Sequence, residues 1–183
     1  MSTAPHSIRH CRACGAAVRY ETPADDNRDR AVCPVCATVH YENPLLVVGT
    51  VPVADDGRIL LCRRAIEPRR GFWTLPAGFM ELGESTADGA TRETTEEAGA
   101  RIAIEGLFTV LDVVRVGQVH VFFRARLLDL DFAPGPESLE VQLFEEADIP
   151  WPELAFRTTA KTLEHWFADR KAGRFELHVA TIA

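Results

Sequence analysis

Residues 78–99, Gly78-Phe79-Met80-Glu81-Leu82-Gly83-Glu84-Ser85-Thr86-Ala87-Asp88-Gly89-Ala90-Thr91-Arg92-Glu93-Thr94-Thr95-Glu96-Glu97-Ala98-Gly99, set six acidic side chains against a single Arg92. Ser85 with Asp88 three positions later has the form of a capping box, and Gly99 is placed to close a helix, so the segment predicts a helix over 86–98. On that helix Glu93 and Glu97 stand four residues apart and Glu96 three from Glu93, which puts their carboxylates on one face. Arg92 sits beside them. A solvated face tolerates such a cluster, because like charges at this spacing cost only about 0.2–0.5 kcal/mol per pair. The alternative is that hard cations fill the space between the carboxylates, since magnesium takes one or two protein carboxylates, several waters and phosphate oxygens of a ligand.

The rest of the chain bears on that choice. With 183 residues and 46% hydrophobic content it has material for one ordinary domain and a small appendage. Met1 to His6 run into Ile8-Arg9-His10 without an apolar signal region, and no later run is long enough to cross a bilayer, so a soluble, cytoplasmic protein with no membrane partner is expected. A formal net charge of -7 argues against a stable nucleic-acid partner, since phosphate backbones are held mainly by Lys and Arg. An anionic small molecule can still bind if divalent cations lie between it and the carboxylates.

Four of the five cysteines form two pairs, Cys11-x2-Cys14 and Cys33-x2-Cys36, separated by 18 residues. This is zinc-ribbon spacing, suited to a closed tetrahedral site of four thiolates. A segment this short buries too little apolar area to fold unaided, so zinc would stand in for a core. Two disulfides are the rival, but nothing in the chain suggests export to an oxidising compartment. His10 and His40 flank the pairs; with four cysteines completing the shell, both are expected to be solvated or hydrogen-bonded. Cys62, within Ile59-Leu60-Leu61-Cys62, reads as a core residue.

Residues 23–30 are polar and turn-rich, as the tip of a ribbon should be, and 39–44 read as a hinge; the expected domains are a ribbon over 1–42 and a second domain over 43–183. Residues 45–53 form a strand candidate, Asp55-Asp56-Gly57 a hairpin turn and 58–63 its partner, followed by a charged loop through Glu67-Pro68-Arg69-Arg70-Gly71. Further strands are expected at 102–104, 107–114, 118–128 and 140–144, with Pro134-Gly135-Pro136 as a breaker. Leu154, Phe156, Leu163, Trp166 and Phe167 give a helical rhythm over 154–170. The sum is an α+β arrangement, a mixed sheet with helices.

The acidic stretch meets the pattern G-x5-E-x7-R-E-x2-E-E-x-G at Gly78, Glu84, Arg92, Glu93, Glu96, Glu97 and Gly99, and here the chain resembles the Nudix hydrolases. Seven fixed positions coincide by chance in on the order of one chain in a million, which favours the cation reading. The resemblance covers residue 43 onward and implies an α/β/α sandwich around a mixed sheet and hydrolysis of a nucleoside diphosphate linked to another group. It implies Glu93, Glu97, Glu96 and the Ala77 carbonyl as ligands of magnesium or manganese, with Arg92 and Glu84 orienting the cluster. Thr94 and Ala100 stand where the family pattern expects bulky aliphatics, so looser packing of the helix on the sheet is expected. Such metals lower the pKa of a bound water and offset charge on a pyrophosphate.

A general base is sought at Glu137 or Glu140, beside the breaker, where a mobile loop would close over substrate; Glu145 and Glu146 read as a solvated turn. Arg69, Arg70 and Arg115 are candidates for pairing with phosphate, and Phe79 or Phe122 for stacking on a base; Trp73 is assigned to the core.

A four-cysteine ribbon joined to this box resembles two groups, the NADH pyrophosphatases and a group acting on ADP-ribose and FAD. The SQPWPFPxS-type motif of the first is absent from residues 109–120, whereas Tyr41-Glu42-Asn43-Pro44, residues 63–69, 73–81 and 143–156 resemble the second. The proline that some ADP-ribose pyrophosphatases carry past the box is Arg115 here. The favoured expectation is therefore release of AMP and a phosphorylated fragment from ADP-ribose or FAD, with NADH hydrolysis or removal of an NAD cap as alternatives. The sequence does not give the oligomeric state, although related hydrolases are often dimers and a homodimer is possible. A reading of another class is a nucleotide-sensing regulator; sensors often lose box glutamates, which this chain keeps.

Overall fold

The computed structural model describes residues 8–182. Met1 to His6, the basis for expecting no export signal, lie outside them. The chain divides into two compact units, the first ending at Asn43 and the second beginning at Pro44.

In the first unit three short strands pair antiparallel in chain order: β1 (Arg19–Glu21), β2 (Arg30–Val32) and β3 (Val39–His40). Asp26 closes the turn-rich tip, accepting from the Asn27 and Arg28 amides and from Arg30 Nε at 2.8 Å. The four cysteines converge, all their sulfurs within 4.8 Å of one another and none disulfide-bonded. His10 is exposed, as expected. His40 is not: it is buried and its Nε2 meets no partner among the described residues, because β3 turns the ring inward.

The second unit is built on a mixed sheet. Its elements are β4 (Leu45–Val53), β5 (Ile59–Arg64), β6 (Trp73–Thr74), β7 (Ala77–Phe79), α1 (Thr86–Ala98), β8 (Ile102–Val113), β9 (Gln118–Leu127), β10 (Ser138–Phe144), α2 (Arg157–Ala172) and β11 (His178–Thr181). The strand order is β10-β5-β4-β9-β8-β11, with β4–β9 and β8–β11 parallel, β6 added beside β5 and β7 beside β4. Alternation along the strands gives each face its own helix. On β4, Val48 packs with Ala90 of α1, while Val51 packs with Leu163, Trp166 and Phe167 of α2. On β5, Leu60 and Cys62 face Ala98, and Ile59 and Leu61 face α2.

The local rules place α1 as expected. Ser85 Oγ accepts from the Asp88 amide, the Asp88 carboxylate accepts from the Ser85 amide, and Gly99 ends the helix at φ 60°. The packing expected to be loose is not. Thr94 is fully buried, donating to the Ala90 carbonyl at 2.8 Å and accepting from Thr50 Oγ1 at 2.7 Å, so a hydroxyl pair joins helix to sheet where an aliphatic contact was expected. Ala100 is buried in the same seam.

Three differences from expectation have physical causes. The two strands expected at 102–104 and 107–114 are one strand, β8, with irregular register around Gly106 and Phe108 that re-aims its side chains. The second helix starts at Arg157, not at 154. A 3-10 turn at Trp151–Glu153 and the Ala155 amide bonding the Trp73 carbonyl at 2.8 Å hold Leu154 to Phe156 extended against β6. Finally, β11 was not expected. It is short and half polar, and only its pairing with residues 109–112 makes it a strand. No helix among the described residues is long and apolar enough to cross a membrane.

Candidate active site

The face of α1 that carries the carboxylates opens into a cavity of about 1070 Å³. Arg92, Glu93, Glu96 and Glu97 line it from the helix, Ala77, Gly78 and Phe79 from β7, and Glu81 from the loop between them. Arg92 organises the cluster. Its Nε and Nη2 bond Glu84 at 3.0 and 2.8 Å, Nη1 bonds Glu93 at 2.7 Å and Glu96 at 3.0 Å, and Nη2 also donates to the Phe79 carbonyl at 3.1 Å. Those bonds hold the Glu84 carboxyl down at about 2. Glu84 also accepts from the Glu81 amide at 2.7 Å, pinning the loop onto the helix.

Glu97 is the most deeply placed carboxylate. Burial pushes it up to about 8, the neighbouring Glu93 and Glu137 add to the rise, and a bond from the Ala77 amide at 3.0 Å opposes it. Burial also raises Glu93, against the pull of Arg92. Gly78 is required by this crowding: a Cβ there would overlap the Glu93 carboxylate, whereas hydrogen leaves the strand room to run beside it.

A buried Glu97 and a half-buried Glu93, both raised by loss of water, are a setting in which a hard cation is favoured, and their all-oxygen character suits magnesium or manganese. Glu93, Glu96 and Glu97 fit such a group; the Ala77 amide is already spent on Glu97, and its carbonyl lies in the same wall. In the first unit, Cys11 Sγ–Cys36 Sγ at 3.6 Å and Cys14 Sγ–Cys33 Sγ at 3.4 Å approach the edges, about 3.8 Å, of a tetrahedron with zinc–sulfur bonds of about 2.3 Å.

The remaining expected residues divide. Arg69, Phe79 and Arg115 line the cavity; Arg70 does not. Phe122 does not reach it either: it shares a face of β9 with His120 but lies two residues further along the strand, in the core under α2, where it is 2% exposed. Trp73 and Cys62 are core, as expected. Of the base candidates, Glu137 lines the cavity and Glu140 does not: β10 register sets Glu140 opposite Arg63, with their charged ends 3.6 Å apart. Nor is the breaker a free loop. Ala133 and Gly135 amides bond the Ala98 and Glu97 carbonyls at 3.0 Å each, and a Cβ on Gly135 would collide with the Glu96 carbonyl, so this segment is pinned to the end of α1. Glu146 pairs with Lys171 at 2.6 Å, away from the site.

Sequence reasoning missed the far walls. Gln118 and His120 on β9, joined at 2.9 Å, form one; burial lowers His120 to about 4. Arg64, Phe156, Arg157 and Thr158 form another. Only the Arg63-Arg64 pair among these carried a local signal, as charge before a loop.

Residues 9–42 match the family model described as the Nudix N-terminal zinc ribbon, and residues 43–169 match the NUDIX domain. The chain belongs to the Nudix family. A crystal structure of a Nudix hydrolase from Nitrosomonas europaea is 47% identical, aligns over 96% of this chain and 99% of its own, and has a TM-score of 0.92. An ADP-ribose pyrophosphatase of Methanocaldococcus jannaschii is 30% identical over 120 residues, 63% of this chain and 69% of that protein. An NAD-capped RNA hydrolase of Vibrio parahaemolyticus is 33% identical over 98 residues, 52% of this chain and only 35% of that protein. Matches to these two curated relatives thus span from about a third to about two thirds of their lengths.

Proposed function

We propose that the second unit is a Nudix pyrophosphohydrolase that cleaves a nucleoside diphosphate linked to another moiety, with ADP-ribose or FAD preferred. The observation that carries this reading is the carboxylate pair of half-buried Glu93 and buried Glu97, opening into a cavity large enough for a dinucleotide. Glu93, Glu96, Glu97 and the Ala77 carbonyl would hold magnesium or manganese, which when bound supplies an activated water and neutralises pyrophosphate charge. Arg92, forked onto Glu84, fixes the directions of Glu93 and Glu96. Glu137, rather than Glu140, is the base: it alone of the two shares the cavity, facing Glu93 and Glu97, and would take the proton of the attacking water. Phe79, half exposed at the cavity mouth, offers a face for a base, while Arg69 and Arg115 offer charge to phosphate. The ribbon would hold one structural zinc through Cys11, Cys14, Cys33 and Cys36, and the domains would meet at residues 42–43.

Likeness to the Methanocaldococcus jannaschii enzyme supports ADP-ribose, and likeness to the Vibrio parahaemolyticus enzyme keeps NAD-cap removal as the second reading. Purified protein with Mg2+ or Mn2+ should release AMP from ADP-ribose or FAD faster than from NADH or a dinucleoside polyphosphate. Tight nucleotide binding without turnover of any of these would favour a sensor and sink the hydrolase reading.

A further inference from the structure

The wall of the cavity formed by α2 gathers hydrogen-bond donors that the proposed chemistry has not used. The N-cap of this helix is Phe156, which supplies no side-chain cap, and no acidic residue occupies the first turn. First-turn amides of a helix have no intrahelical partner and carry the positive end of its dipole. Residues 155–158, the approach and first turn, line the cavity.

A second observation is independent of the helix end. Thr158 is 3% exposed and its Oγ1 has no hydrogen-bond partner. Of the three buried side-chain polar atoms without a partner among the described residues, on His40, Ser138 and Thr158, only that of Thr158 belongs to a residue lining this cavity. A buried hydroxyl left unpaired is costly, so the site asks for an oxygen or nitrogen from a ligand.

Arg64 completes the set. It is 9% exposed, spends Nε on the Pro68 carbonyl at 2.9 Å and lies over the Phe156 ring at 5.1 Å, while its two Nη groups make no hydrogen bond among the described residues. Nearly buried guanidinium, unpaired hydroxyl and open helix terminus thus border one space, and Arg69 lines the same cavity. A guanidinium fork, a hydroxyl and backbone amides match a tetrahedral oxyanion, whose oxygens can accept from all three together.

We propose that the N-terminus of α2, the Thr158 hydroxyl and the Arg64 guanidinium form a seat for a phosphate group of the substrate. The proposal rests on the diphosphate-hydrolase reading above. In sheet order, Arg64 on β5 and the Gln118–His120 pair on β9 lie on opposite sides of β4 and β7, about 10 Å apart or more at two strand spacings. The carboxylates of α1 face β7 between them. A substrate seated this way has a phosphate on the α2 side and its nucleoside toward His120 and Phe79.

Thr158→Val removes the hydroxyl at nearly constant shape, and Thr158→Ser restores it. The amides of Thr158 and Thr159, followed by NMR in the full chain during titration with inorganic phosphate, should shift saturably. Thr158→Val should weaken that binding roughly tenfold, and Thr158→Ser should recover it. In steady state the valine variant should raise KM for the diphosphate substrate by a similar factor with little change in kcat, and phosphate should inhibit competitively. A structural role for Thr158 alone would not give this split or the serine rescue. Amides that ignore phosphate, or respond equally in wild type and Thr158→Val, would overturn the seat even in an active enzyme. Non-competitive phosphate inhibition would detach it from the substrate and overturn it equally. An inactive protein whose phosphate response is lost in Thr158→Val would uphold the anion seat while the hydrolase reading falls.

Discussion

Arg92 meets Glu84 as a fork, Nε to Oε2 at 3.0 Å and Nη2 to Oε1 at 2.8 Å, and this pair sets the direction from which Nη1 reaches Glu93 and Glu96. A lysine keeps the charge and loses the fork. Arg92→Lys is therefore expected to fold normally and to lose about a hundredfold in kcat/KM through misdirected carboxylates. Circular dichroism and steady-state kinetics check both halves; near-normal kcat/KM would mean that the fork does not position the site.

Glu97 presents a different test, because its burial works against the fold rather than for it. Glu97→Gln keeps the shape, and its amide oxygen can still accept from the Ala77 amide, while the carboxylate is gone. Turnover should fall by at least about a hundredfold, and the melting temperature should stay level or rise, since a buried acid is costly unless paired. A variant as active as the parent would remove Glu97 from the proposed ligand set.

How much of this was legible in the chain follows from the range of the forces involved. The cap at Ser85, the stop at Gly99 and the shared face of Glu93, Glu96 and Glu97 are local, so residues 78–99 announce them. The cysteine spacing is equally local and brings four sulfurs together. Choosing Glu137 over Glu140 depends instead on how β10 registers against β5, which sends Glu140 to Arg63. Phe122 could not be separated from Phe79 without knowing which part of β9 lies under α2. Thr158 left no trace, because its significance lies in a partner it lacks, and β11 exists only through its pairing with β8.

The Thr50–Thr94 pair joins sheet to helix with a built-in asymmetry. Thr94 spends its proton on the Ala90 carbonyl, so Thr50 is the donor and depends on Thr94, while Thr94 does not depend on Thr50. Thr94→Val should therefore destabilise the domain by about 1–3 kcal/mol by stranding a buried hydroxyl. Adding Thr50→Val should recover most of that loss. Chemical denaturation of the three variants reads the cycle, and additive losses would contradict it.

Metal content separates the two units. With sulfurs spaced for a tetrahedral site, one tightly held zinc per chain is expected, and stripping it with a thiol-competing chelator should unfold the ribbon. Magnesium or manganese should dissociate readily on dialysis. Elemental analysis with free-thiol titration decides; cysteines recovered as disulfides would exclude the zinc site.

His120 gives a pH signature. Burial holds its folded pKa at about 4, below the ordinary 6.5, so between those values the unfolded chain binds a proton that the folded chain refuses. Stability must then rise with pH through this window: the penalty is absent above 6.5, grows as pH falls, and levels off below 4. Carboxylates elsewhere titrate over part of the same range, so the informative quantity is the difference between wild type and His120→Gln, which stays neutral throughout. That difference should be flat above pH 6.5 and turn against the wild type steadily toward pH 4, measured by denaturant unfolding at several pH values. Parallel curves would show that the imidazole takes up its proton in the folded cavity as freely as in water, and that this wall is open to solvent instead of being a dry surface for a nucleoside.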